Sequence, residues 1–274
     1  MTSPRDAFAR IARLPDAEID LAEAALWIAA EEHPGVDVAE SLRRLDALAE
    51  ALAPGWPQGG TLADRVARLN RYLFAEQGFR GNQRDYYDPR NSYLDQVIDR
   101  RLGIPITLAI VYMAVASRLG LDCRGISFPG HFLVRCADGD EIVDAFYGRT
   151  LGRDECEARL ANALGPGVEL RPELHLRDAT PREILVRMLA NLQRIFASRG
   201  DAERLLACCD RILLLTPRDP MALRERALVY EQLGWVAAAV ADLETAVVAL
   251  SPGPARTKLR ARCDALRRRM GPAH

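Results

Sequence analysis

Pro129-Gly130-His131-Phe132-Leu133-Val134-Arg135-Cys136-Ala137-Asp138-Gly139-Asp140-Glu141-Ile142-Val143-Asp144-Ala145-Phe146 is the stretch on which the fold turns. Apolar and polar residues alternate over 131–136 and again over 141–146, the period of a half-buried strand. Asp138-Gly139 between them is a hairpin signal, because a tight two-residue turn needs residues that tolerate positive φ. With those two at the centre of the turn, Arg135 faces Ile142, Leu133 faces Asp144 and His131 faces Phe146. His131 and Asp144 then share one face as diagonal neighbours, near enough to interact. An imidazole beside a carboxylate is the base-and-orienter half of a nucleophilic triad. It is equally a plain structural hydrogen bond, and the two residues alone leave both readings open.

N-terminal to the hairpin, residues 123–128 form a further short strand. Before it, residues 104–119 are apolar on every side and read as a buried helix, with Pro105 tolerated in the first turn and Gly120 ending it. The segment 78–91 changes character: Gly78, Gly81, Asn82, Asp88, Pro89 and Asn91 are turn formers, interleaved with Phe79, Tyr86 and Tyr87. A loop that rich in aromatics packs down on the protein. Asn91 or Ser92 is the expected cap of a helix beginning near Leu94, with Asp95 favourable in its first turn. Arg100 and Arg101 either pair with the acidic loop or stay solvated. Residues 18–55 read as two helices, the second capped by Asp37, and Thr61 opens a third. The expectation is an α+β domain, a buried helix packed on a small antiparallel sheet.

Beyond Thr180 the chain is all helix and repeats itself. Arg199-Gly200 and Leu233-Gly234 lie 34 residues apart, and Leu215-Thr216-Pro217 and Leu250-Ser251-Pro252 lie 35 apart. Helix pairs of that period, closed by Pro, are the tetratricopeptide signature. The expected organisation is an N-terminal helical part over 1–60, a core over 61–175 and helical repeats over 180–270. Stacked helix pairs present a concave face that receives peptides, and exposure of Tyr230 and Trp235 would favour that use.

Composition narrows the classes. The 274 residues are 49% hydrophobic and 27% charged, which fits a globular chain, and net charge is −1, which gives no overall basic field for nucleic acid or an anionic membrane. The start of the chain lacks the pattern of a secretory signal, and the longest apolar run is too short to cross a bilayer. A cytoplasmic protein is expected. Six cysteines, Cys123, Cys136, Cys156, Cys208, Cys209 and Cys263, have no paired metal-ligand spacing and read as buried or idle thiols. No cofactor is expected.

Residues 86–94 (Tyr-Tyr-Asp-Pro-Arg-Asn-Ser-Tyr-Leu) followed by 100–108 (Arg-Arg-Leu-Gly-Ile-Pro-Ile-Thr-Leu), the Pro-Gly-His-Phe-Leu-Val-Arg run from Pro129 and the Val143–Phe146 return strand resemble the bacterial SirB-type transglutaminase-like proteins. The resemblance covers roughly residues 18–260, helical N-terminal part and tetratricopeptide-like tail included. It implies a papain-like core in which a helix N-terminus, a strand His and a neighbouring-strand Asp converge. In active members a Cys stands at that helix N-terminus, where the helix dipole and the His favour a thiolate. Counting back from Leu119-Gly120 puts the position at Pro105, or at Thr107 with a shift of two; neither is Cys.

Three functions follow. The first is a degenerate transglutaminase-like, regulatory or accessory protein that holds a protein or peptide partner, with a groove lined by Tyr86, Tyr87, Asn91, Tyr93 and Phe132. The second is an acyl-transfer or peptidase-type enzyme in which Thr107 or a displaced thiol works with His131 and Asp144. The third is a small-molecule, metal or nucleic-acid binder built on Asp85, Asp88, His131 and Asp144; no ligand spacing demands it, and the charge argues against nucleic acid.

Overall fold

The computed structural model describes residues 3–137 and 141–270, so the Asp138-Gly139 turn lies outside the described residues. The chain divides into two compact units, Met1–Met188 and Leu189–His274.

The first unit opens with α1 (Pro4–Ile11), α2 (Leu21–Glu32) and α3 (Val38–Leu52). Asp20 and Asp37 accept the amides of Glu23 and Glu40 and so fix where α2 and α3 begin. Next is α4 (Leu62–Asn70), which Thr61 opens by a reciprocal cap with Asp64. A short β1 (Arg80–Gly81) precedes α5 (Leu94–Arg100) and pairs in parallel with β2 (Leu102–Gly103).

Helix α6 (Pro105–Arg118) buries ten of its residues, from Pro105 to Ala116, so no polar stripe was needed in its sequence. Each Leu, Ile or Val taken out of water there contributes about 1.5–3 kcal/mol. Gly120 ends the helix with φ +72°, a conformation that glycine adopts without a Cβ clash.

Four strands follow as an antiparallel meander, β3 (Cys123–Ile126), β4 (Leu133–Cys136), β5 (Glu141–Asp144) and β6 (Arg149–Leu151). Val134 faces Val143, Arg135 faces Ile142 and Cys136 faces Glu141, the register expected from the hairpin sequence. Alternation gives the sheet two faces. Leu133 and Ile142 join Ile126, Cys156 and Leu160 in one apolar cluster, the last two from α7 (Arg153–Leu164). The opposite face sends the Cys136 thiol toward the Tyr112 hydroxyl on α6. The sheet is therefore held between α6 and α7. The short α8 (Pro172–His175) and the first part of α9 (Pro181–Arg199) complete this unit.

The second unit continues α9 and adds α10 (Ala202–Leu215), α11 (Pro220–Gln232), α12 (Val236–Ala249) and α13 (Pro254–Met270). Gly200 and Gly234 both turn the chain with positive φ, +67° and +76°, at the repeated positions. Arg226 on α11 reaches Asp242 on α12 with two bonds of 2.7 Å and Asp210 on α10 at 2.9 Å, tying three helices together.

Candidate functional site

The site grows from a turn, two strands and one helix. Residues 127–131 lead into β4, and Gly130 sits at φ +68°, a conformation that glycine adopts without strain, where a Cβ would lie a tight 3.2 Å from that of Ala163. Arg187 holds the turn by donating to the Ser127 hydroxyl at 2.6 Å and to the carbonyls of Phe128 and His131. His131 is thereby placed with its ring over the sheet face that carries Asp144.

His131 Nε2 lies 3.0 Å from Asp144 Oδ1. That oxygen also accepts the backbone amides of Phe146 at 3.0 Å and Tyr147 at 3.2 Å, while Arg159 from α7 makes an ion contact with Oδ2 at 2.5 Å. Asp144 is fully buried, so a charged carboxylate there needs these partners. The His131 side chain is 13% exposed, lies face to face with Tyr147 at 6.2 Å and meets Phe146 edge-on. Arg159 also covers the Tyr147 ring, 5.0 Å from its centroid. A carboxylate that fixes one imidazole nitrogen leaves Nδ1 as the nitrogen able to act on something else.

Thr107 does not offer its hydroxyl to that imidazole. It is fully buried, donates to the Asn91 carbonyl at 2.7 Å and accepts the Ile104 amide at 3.2 Å, the geometry of a side chain capping α6. Pro105 occupies the first position of α6.

Three of the five groove residues need correction. Asn91, Tyr93 and Phe132 are 0%, 4% and 1% exposed and belong to the interior, whereas Tyr86 and Tyr87 are exposed. Asn91 is consumed by the loop: it accepts from Asn82 Nδ2 at 3.1 Å and donates to the carbonyls of Asp85 and Tyr86. It therefore does not cap α5, whose N-cap is Tyr93 with no side-chain capping bond; Asp95 does stand in the first turn. Asp88 is partnered by Arg90 and Arg100. Burial works against its charge, but the hydrogen bonds and field of Arg90 hold the carboxyl below its ordinary range.

Arg159 and Tyr147 are the site residues that sequence reasoning missed. The first lies on α7, whose sequence buries only Cys156 and Leu160 and so carries little apolar pattern. Of the ligand set weighed earlier, Asp88 is committed to arginines and Asp144 to His131 and Arg159. Among the described residues no group of three or more His, Cys, Asp or Glu side chains is placed to hold a metal ion, and no helix is long and apolar enough to cross a membrane.

In the second unit a cavity of about 750 Å³ is lined by Met221, Leu228 and Leu259 with Arg224, Lys258, Arg262 and Glu231 around them, the last two ion-paired. Trp235 is 52% exposed and lies 5.8 Å from the Tyr230 ring.

Comparison with known proteins agrees with this division. A family model described as the transglutaminase-like superfamily matches residues 39–190, and one described as a tetratricopeptide repeat matches residues 192–270. A UPF0162 protein of Xylella fastidiosa (strain Temecula1) is 41% identical over 240 residues, 85% of each chain. A UPF0162 protein of Pseudomonas aeruginosa is 36% identical over 85% of this chain and 86% of its own. F-box only protein 21 of Pongo abelii is 30% identical over 68% of this chain, which is 31% of that longer protein.

Proposed function

We propose that this chain, which belongs to the UPF0162 family of transglutaminase-like proteins, works as a non-catalytic, protein-binding accessory molecule. The observation that carries the reading is the start of α6. A transglutaminase-like nucleophile would stand there as a thiolate, favoured by the helix N-terminus and an adjacent imidazole. Pro105 fills the place, and the one hydroxyl of the first turn, Thr107, is buried with its proton committed to Asn91. His131 and Asp144 then serve to join β4, β5 and α7 around a buried charge rather than to activate a group.

Binding fits both units. Tetratricopeptide repeats suggest protein–protein interaction, and the cavity beside α11 and α13 combines an apolar floor with charged side chains of both signs, which suits a peptide. A stretch amounting to 68% of this chain recurs as 31% of a longer F-box relative, as an interaction module does. The six cysteines are thiols and not disulfides, which suits a reducing compartment such as the cytoplasm.

The His131–Asp144 geometry supports a second reading, an acyl-transfer or peptidase-type enzyme with a substitute nucleophile. One experiment separates the two: alkylation of each cysteine by iodoacetamide, followed by peptide mass, together with acylation by an activated aryl ester, in wild type and His131→Ala. Slow alkylation indifferent to His131, and no stable acyl group on Thr107, is the expected result. A single fast cysteine, or acylation of Thr107, that is lost with His131 would overturn the proposal in favour of the enzyme.

A further inference from the structure

Two of the six thiols stand opposite each other across the sheet. Cys123 on β3 pairs with Cys136 on β4, and their Sγ atoms are 2.9 Å apart. Ala137 N donates to Asp122 O just outside the pair. In an antiparallel ladder that bond makes Cys123–Cys136 a non-hydrogen-bonded pair, the type whose Cα atoms approach to about 4.5 Å. That spacing falls inside the roughly 4.4–6.8 Å that a disulfide spans, so a bond between them requires no strand displacement.

Access is one-sided. Cys136 is fully buried beneath Tyr112, whereas Cys123 is partly exposed and lines a cavity of about 520 Å³. Ile110, Met113 and Ile184 give that cavity apolar walls, and Asp20, Asp122, Arg118 and Arg124 stand at it, the arginines paired with Asp46 and with Asp122 and Asp178. The space leaves room for a small reagent next to Cys123 and not next to Cys136.

We propose that Cys123 and Cys136 form a redox modification site, closed reversibly to a cross-strand disulfide by a low-molecular-weight disulfide such as oxidised glutathione. Cys123, losing its proton to solvent, attacks one sulfur of the reagent; one S–S bond breaks, a mixed disulfide forms at Cys123, and one glutathione leaves as a thiol after taking up a proton. Cys136 then gives up its proton and attacks Cys123 Sγ, the protein disulfide forms, and the second glutathione leaves as a thiol. The two protein thiols are oxidised, the reagent is reduced to two thiols, and no other electron acceptor is needed. The thiol–thiol contact, and then burial, raise the Cys123 thiol above its ordinary range, so the exchange is a slow one. The consequence is local: oxidation staples β3 to the strand that His131 leads into.

The test is native full-length protein incubated for hours with oxidised glutathione, quenched in acid, alkylated and mapped by peptide mass. The expected product joins the peptides of Cys123 and Cys136, disappears with dithiothreitol, and leaves the other four cysteines free. In Cys136→Ser, with folding checked by circular dichroism, a glutathione adduct accumulates at Cys123; in Cys123→Ser, Cys136 stays free. Six free thiols in native wild type, under conditions that fully oxidise an exposed control dithiol, would overturn the proposal. So would an unresolved adduct at wild-type Cys123, a different cysteine pair, or a disulfide that appears only after denaturation.

Discussion

Thr107 gives its hydroxyl proton to the carbonyl of Asn91 at 2.7 Å, joining the first turn of the buried helix α6 to the loop that precedes α5. The same oxygen accepts the Ile104 amide, so one side chain satisfies two buried backbone groups. Thr107→Val keeps the shape and removes both bonds. It is expected to destabilise the protein by about 1–3 kcal/mol, because buried polar groups lose their partners. Thr107→Ser retains the hydroxyl and loses only a methyl group. Urea unfolding that finds Val as stable as Ser would show that the cap does not matter.

Asp144 is a buried carboxylate facing His131, Arg159 and two backbone amides. Asp144→Asn removes the charge and leaves the mostly buried guanidinium of Arg159 without its counterion. A loss of about 3 kcal/mol is expected, the scale for breaking one side of a buried pair. Adding Arg159→Met should return part of it, since the uncompensated charge is then gone. Strict additivity of the two single losses would mean that the two groups do not interact.

Gly81 lies against the ring that borders His131. A Cβ at Gly81 would come within 2.4 Å of Phe146, and the Gly81 amide donates to the Phe146 carbonyl at 3.0 Å. Gly81→Ala therefore has to push the Phe146 ring or separate the two backbones, at about 1–3 kcal/mol for overpacking. Because Phe146 meets His131 edge-on, the His131 ring resonances should shift along with the loss of stability. Unchanged resonances would mean that Phe146 yields without disturbing its neighbour.

The hairpin register was legible because turn chemistry and alternation both act on neighbouring residues. The capping aspartates and Thr61 were legible for the same reason: the residue that ends one conformation bonds an amide three positions on. Aromatic side chains between turn formers were less informative. Tyr87 and Tyr93 have the same local company, yet one is 60% exposed and the other 4%. Tyr93 meets the His33 ring edge-on at 4.9 Å at the end of α2, a contact that no local pattern encodes. Asn91 has donor and acceptor groups that serve a loop as well as a cap, and only the position of Asn82 decides between them. Arg159 was invisible because its role depends on α7 packing beside β5.

Arg226 binds Asp242 and Asp210 from two other helices, and Asp242 is buried. Arg226→Ala removes the guanidinium that the buried Asp242 carboxylate faces and is expected to cost about 3 kcal/mol. The effect should concentrate in the second unit. Hydrogen exchange should therefore accelerate across α10, α11 and α12 while the meander in the first unit keeps its protection. Equal acceleration in both units would show that they unfold as one.

Asp88 supplies the pH dependence of the loop before α5. Its folded carboxyl sits below the ordinary aspartate range of about 3.9 because Arg90 hydrogen-bonds the charged form, with Arg100 adding to the field. A depressed folded value means that the unfolded chain takes up the proton first as acid is added. The stabilisation is complete above the unfolded value and is lost as pH falls through the folded one. Since Asp88 also caps the short turn Pro89–Asn91, protonation releases the Arg90 amide at the same time. Acid titration should expose residues 82–91 to an acid-active protease below about pH 4, and Asp88→Asn should be cut in the same loop at pH 7 by a protease active there. A loop equally resistant in both proteins at every pH would assign its order to Asn82 and Asn91 alone.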